Sequence, residues 1–126
     1  MMTDKGRQPR DIKERTFSFA LDVVHLAHRL DECSGVSRVL GRQLLRSGTS
    51  IGANVEEAQA GQSRADFSSK YAIALKEARE TVYWLRLLKE CELSRDNECD
   101  ALLREASELA RIIGAIIVKS KRNRNE

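Results

Sequence analysis

Apolar residues recur along this chain at spacings of three and four, in four successive segments, and each recurrence marks one side of a helix. In the first segment, from about Asp11 to Cys33, the stripe is Phe19, Ala20, Val23, Leu26, Ala27 and Leu30, and Ser34-Gly35 closes it. The second, from about Val36 to Gly61, turns Leu40, Leu44, Ile51, Val55 and Ala58 to one side, and Gly61 supplies a C-terminal stop. Ser63-Arg64-Ala65-Asp66 reads as an N-cap followed by an acidic first turn. It opens a third segment with Phe67, Tyr71, Ala74, Ala78, Thr81, Leu85 and Leu88 inward, ending near Leu93. Ser94 or Asp96 is placed to cap the fourth, whose inward set is Leu102, Ala106, Leu109, Ile113 and Ile116.

Segments of about 23 to 28 residues make helices roughly 35 to 40 Å long, and breaks of a few residues force neighbours to run antiparallel. The pattern predicts an all-α fold, an up-down-up-down antiparallel four-helix bundle over residues 11–118. Residues 1–10 are expected to form a disordered N-terminal tail, and 119–126 a basic C-terminal one. In this topology Cys33, Cys91 and Cys99 gather at one pole. Both termini and the turn at Gly61 to Arg64 gather at the other.

The second helix carries more than a core stripe. Gly41, Gly48 and Gly52 flank it on one side, where each glycine permits close backbone approach at about 1 kcal/mol relative to Ala. Gln43, Ser47, Ser50, Asn54 and Glu57 flank it on the other. Bordering the core, this polar stripe is expected to pair with neighbouring helices or subunits, since each unpaired buried group costs about 1 to 3 kcal/mol. Glu77, Glu80 and arginines of a neighbouring subunit are candidate partners.

Composition supports this reading. Within 126 residues there is a single proline, Pro9, and few aromatics, which suits one helical domain. The longest apolar run, Ile112 to Val118, is far short of the roughly 20 residues a membrane helix needs, and the charged N-terminus does not resemble a secretion signal. A cytoplasmic protein that makes no membrane contact is expected. The net charge of +3 is concentrated at the ends: residues 1–15 carry +2, residues 119–126 carry +3, and the stretch between is net −2.

Candidate chemistry is sparse. Asp22, His25 and His28 sit within two turns, but a di-iron bundle needs matching ligands on other helices and the chain has no third histidine. Three cysteines without paired spacing do not define a zinc site, and no nucleophile has a base within reach by spacing. No catalytic, cofactor-binding or metal-ligating residue is assigned, and a non-enzymatic role is expected.

Surfaces are more informative. Ile73, Trp84, Leu87 and Cys91 form a second apolar set on helix 3, and helix 4 is apolar all round from Ile112 to Val118. One bundle cannot bury both, so self-association is expected, with Ser47, Ser50, Asn54, Glu57, Glu80, Ile73, Trp84 and Leu87 as interface or buried polar positions. Arg38, Arg42 and Arg46 recur every four residues, and with Arg79, Arg86 and Lys89 they form a candidate basic strip. Lys119, Lys121, Arg122 and Arg124 add a basic end, giving a candidate nucleic-acid surface whose weak contacts oligomeric symmetry would multiply. The alternative is an adaptor whose ligand is another protein.

The run Arg46-Ser47-Gly48-Thr49-Ser50-Ile51-Gly52-Ala53-Asn54-Val55-Glu56-Glu57 carries a family likeness, continued by Ser63-Arg64-Ala65-Asp66-Phe67 and by Ile73 to Leu85. It resembles the bacterial four-helix bundle proteins encoded in intervening sequences of 23S ribosomal RNA genes, the S23-like family, over about residues 11 to 118. The sequence departs from the commoner pattern in carrying Gly48 where Ala is usual. The resemblance implies a homopentamer and kinship with the accessory variability determinant of diversity-generating retroelements. That protein binds nucleic acid and a reverse transcriptase, so RNA, DNA, a reverse transcriptase or another protein are the partners implied here.

Overall fold

The computed structural model describes residues 11–33, 35–61, 63–94 and 97–124. Four helices follow one another: α1 (Ile12–Asp31), α2 (Val36–Ala60), α3 (Arg64–Glu90) and α4 (Glu98–Arg124). The expected N-terminal tail 1–10, the Asp96 cap and residues 125–126 lie outside the described residues.

Contacts between named residues run in opposite directions at every seam. Gly41 faces Leu30 and Gly52 faces Thr16, so α1 and α2 are antiparallel. Ser47 meets Thr81 while Gln59 meets Tyr71, which makes α2 and α3 antiparallel too. Lys89 pairs with Asp100 at the start of α4, and Phe67 lies beside Ile116 near its end. Arg29 pairs with Glu98 and Arg15 with Glu105, joining α1 to α4 in the same sense. The seam between α1 and α4 is much the thinnest of the four.

The core lies where the apolar periodicity places it. Phe19, Val23, Leu26 and Leu30 of α1 are buried against Leu44, Ile51 and Val55 of α2, Tyr71, Leu85 and Leu88 of α3, and Leu102, Leu109 and Ile113 of α4. Leu40, Phe67 and Ile116, at the ends of their stripes, are only partly buried. Three polar residues join the core that the inward stripes omit, Thr16, Ser47 and Glu77. Thr16 is tolerated because its hydroxyl donates to the Ile12 carbonyl at 2.9 Å, satisfying it within its own helix.

Helix ends follow local chemistry. Ser63 caps α3 by accepting from the Asp66 amide at 3.1 Å. At the other end of α3, Glu92 adopts φ 56°, the Glu92 amide reaches the Lys89 carbonyl and the Leu93 amide reaches the Leu88 carbonyl. This is a Schellman turn with glutamate where glycine is usual. Gly35 precedes α2 at φ 68°, a conformation that side chains disfavour. Ser94 does not cap α4, which begins four residues later at Glu98. At its far end α4 continues to Arg124, so residues 119–124, expected as a tail, extend the helix. Lys and Arg are good helix formers and suit the negative end of the helix dipole, which is why a polar sequence did not mean a broken helix.

Candidate functional site

The polar flank of α2 is divided among several partners. Ser47 alone is buried, and its hydroxyl lies 2.9 Å from that of Thr81, which also reaches the Glu77 carbonyl at 2.7 Å. Ser50 donates to the Arg46 carbonyl at 2.7 Å and the Asn54 amide to the Ser50 carbonyl at 2.9 Å, so both are satisfied within α2. Glu57 pairs with Lys70 at 3.0 Å. Gln43 accepts from Arg46 at 3.4 Å.

Arg46 is the pivot between α2 and α3. Its guanidinium lies 3.4 Å from the buried Glu77 carboxylate and also bonds Glu80, whose carboxylate accepts from the Trp84 indole at 3.0 Å. Glu77 and Glu80, expected as partners of the polar stripe itself, are instead held by Arg46 beside it, while the stripe residues pair with other groups of the same chain. Trp84 and Leu87 are partly buried rather than free, while Ile73 is exposed.

At the α2 end of the candidate basic strip, Arg42 and Arg46 are paired with carboxylates and Arg38 only with a backbone carbonyl. Arg42 pairs with Asp31 at 3.1 Å, Arg38 donates to the Asp31 carbonyl at 3.3 Å, and Arg46 is held as above. Lys89 pairs with Asp100 at 2.8 Å, a contact that raises its pKa. Arg79 and Arg86 are exposed without an ion-pair partner among the described residues. At the basic end Lys119, Lys121 and Arg122 are likewise exposed and have no carboxylate partner among the described residues. Arg124 ends the same helix. Arg64, at the start of α3 on the same pole, is a further exposed cation that the sequence reading missed.

A second surface was also missed. Phe17, Leu21 and Val24, spaced i, i+4 and i+7 on α1, are 61%, 47% and 41% exposed and point the same way. They border a shallow hollow of about 420 Å³ between α1 and α2, with Thr49, Ala53 and Glu56 on its far wall. Leu45, also exposed, shares an adjoining hollow with Val24. The signal was present in the sequence, but the stronger core stripe of Phe19, Val23 and Leu26 overshadowed it.

The titratable groups show no catalytic arrangement among the described residues. His25 and His28 are both exposed, and His28 Nε2 lies 3.9 Å from Glu32. Cys33 and Cys91 are exposed and Cys99 is buried, where burial pushes its thiol pKa up, away from the thiolate that nucleophiles and metal ligands require. No three His, Cys, Asp or Glu side chains among the described residues cluster as a metal site. No described helix is long and apolar enough to cross a membrane.

Known proteins place this geometry in a family. No curated protein is significantly similar to the chain. A solved structure from Bacteroides thetaiotaomicron, a protein of unknown function from the S23 ribosomal protein family, superimposes with a TM-score of 0.78 at 40% identity, covering 85% of this chain and 98% of that one. The family model described as 23S rRNA-intervening sequence protein matches residues 9–115, which span all of α1, α2 and α3 and most of α4. The chain belongs to the 23S rRNA-intervening sequence protein family.

Proposed function

We propose that this protein is a non-enzymatic, self-associating helical scaffold that binds nucleic acid weakly and without sequence preference at its basic pole. The observation that carries the scaffold reading is the apolar face of Phe17, Leu21 and Val24 around the hollow between α1 and α2. Contiguous apolar surface of this kind is costly to leave in water and is ordinarily covered by a partner. A second copy of the chain is the partner in this reading, and a pentamer is the assembly implied by the family likeness. The nucleic-acid component rests on Arg64, Lys119, Lys121 and Arg122, cations without carboxylate partners among the described residues.

Sedimentation at micromolar concentration tests the scaffold directly. The expected mass is a multiple of the 14.2 kDa chain, reduced to the single chain by the pair Phe17→Glu and Leu21→Glu. A wild-type monomer would defeat self-association and leave the adaptor reading, in which the same apolar face receives a different protein. Mass loss on nuclease treatment would report bound nucleic acid in the same experiment.

A further inference from the structure

We infer that the cleft between the start of α3 and the end of α4 holds one nucleotide of a single-stranded nucleic acid, its phosphate on Arg64 and Lys119 and its base against Phe67. This rests on the nucleic-acid part of the function proposed above and gives it an address.

Two adjoining hollows share Arg64 and Phe67. One, of about 430 Å³, is bounded across the cleft by Ile116, Lys119, Ser120 and Asn123. The other, of about 580 Å³, opens against Gln59 and Ser63 on the side of α2. Each is of the size that receives a small organic group. The lining combines two cations, an aromatic ring and the hydroxyl and amide of Ser120 and Asn123, the set that a phosphate joined to a base would engage. Phe67 is partly buried and rests on Tyr71 with ring centroids 4.6 Å apart, so its position is fixed by packing.

Charge at this pole is partitioned in a telling way. Lys13 and Lys70 are occupied by Glu56 and Glu57 at 3.7 and 3.0 Å. Arg64, Lys119, Lys121 and Arg122 are not occupied, and Asp11, Glu14 and Asp66 are exposed carboxylates at this pole that have no ion pair among the described residues. The bland alternative is that the lysines and arginine of α4 only complement its dipole. That accounts for Lys119, Lys121 and Arg122, but a cation on the first turn of α3 opposes its own dipole and gains nothing there.

A single strand fits better than a duplex. Phe67 lies recessed between two helices, and a base reaches it only when unstacked and unpaired.

The test is fluorescence anisotropy of the full chain with a labelled oligouridylate of roughly 12 nucleotides, with a duplex of equal length for comparison and uridine monophosphate as competitor, at about 50 mM salt. Stronger binding of the single strand is expected. Arg64→Glu and Lys119→Glu should each weaken it about tenfold and flatten its salt dependence. Phe67→Leu, which keeps an apolar contact with the core, should weaken the single strand about fivefold or more while leaving the salt slope unchanged. Arg104→Glu, on an exposed position of α4 toward the opposite pole, is the charge control. Circular dichroism of each variant separates lost binding from lost fold. Equal affinity for duplex, or indifference to Phe67→Leu, would overturn the proposal in favour of unspecific charge attraction. Displacement by the monophosphate at concentrations matching the strand's own would assign the cleft to free nucleotides and overturn the strand. Binding untouched by Arg64→Glu and Lys119→Glu would move the nucleic acid elsewhere, whereas no binding at all would remove the nucleic-acid function itself.

Discussion

Helix α2 meets α1 through glycine and α3 through hydrogen bonds. On the α1 side a Cβ added at Gly41 would sit 2.9 Å from Leu30 Cβ, one at Gly48 would sit 2.8 Å from a Val23 methyl, and one at Gly52 would sit 3.3 Å from Thr16. On the α3 side Ser47 meets Thr81 in the core and Arg46 bridges Glu77 and Glu80 at its edge. The first seam specifies by shape, because close-packed surfaces leave no room for an extra methyl. The second specifies by direction, because a slip of one helical turn, about 5.4 Å, would break the Ser47–Thr81 bond and take Arg46 away from the buried Glu77 carboxylate. Together they fix both the distance and the register of α2.

The sharpest way to break this contrast is to overfill the first seam. Gly48→Val places a branched side chain where even its first carbon collides with Val23, itself stiff at χ1, so a loss of about 3 kcal/mol or more is expected in urea unfolding. A loss below about 1 kcal/mol would show that the seam is not close-packed. Next in size is the directional seam: Thr81→Val keeps the shape, removes the hydroxyl, and should cost about 1 to 2 kcal/mol. Adding Ser47→Ala should cost less than the separate effects predict by about 1 kcal/mol, since the two hydroxyls serve one another. Additive losses would mean they are independent.

A smaller effect of opposite sign sharpens the glycine argument. A Cβ at Gly114 in α4 would meet nothing within 4 Å, so Gly114→Ala should stabilise by about 1 kcal/mol through helix propensity alone. Gly52→Ala should leave stability almost unchanged, the same gain being offset by contact with Thr16. Equal gains at the two positions would refute the tightness of the α1 seam. The smallest effect is expected at Arg46→Met, below about 1 kcal/mol and shrinking as salt is added, because the half-exposed guanidinium gains little from its ion pairs in water. A loss as large as that of Thr81→Val would shift the weight of the α3 seam from its hydroxyls to its charges.

This contrast also marks how far the sequence could be read. The inward stripes and the glycine flank were legible because a period of 3.6 projects directly onto one helix. Whatever depended on a second helix was not. Nothing in the repeat of Arg38, Arg42 and Arg46 indicates that Asp31 takes the first two and that Glu77 and Glu80 take the third, since that follows from the offset between helices. Ser50 and Asn54 looked like groups in search of partners, yet their own backbone satisfies them, an option open to any short polar side chain one turn from a carbonyl. The apolar face of Phe17, Leu21 and Val24 had the right spacing but competed with a stronger stripe on the same helix. The basic pole was partly legible, through the end of α4, and lacked Arg64 because a lone arginine after an N-cap carries no signal of its own.

The thin seam between α1 and α4 bears on how quickly the chain finds this structure. Nearly all the packing joins helices adjacent in sequence, so three hairpins can zip from their turns while only a minor contact must wait for the two ends to meet. Such a topology has a low contact order, which places its expected folding time in the range of microseconds to milliseconds.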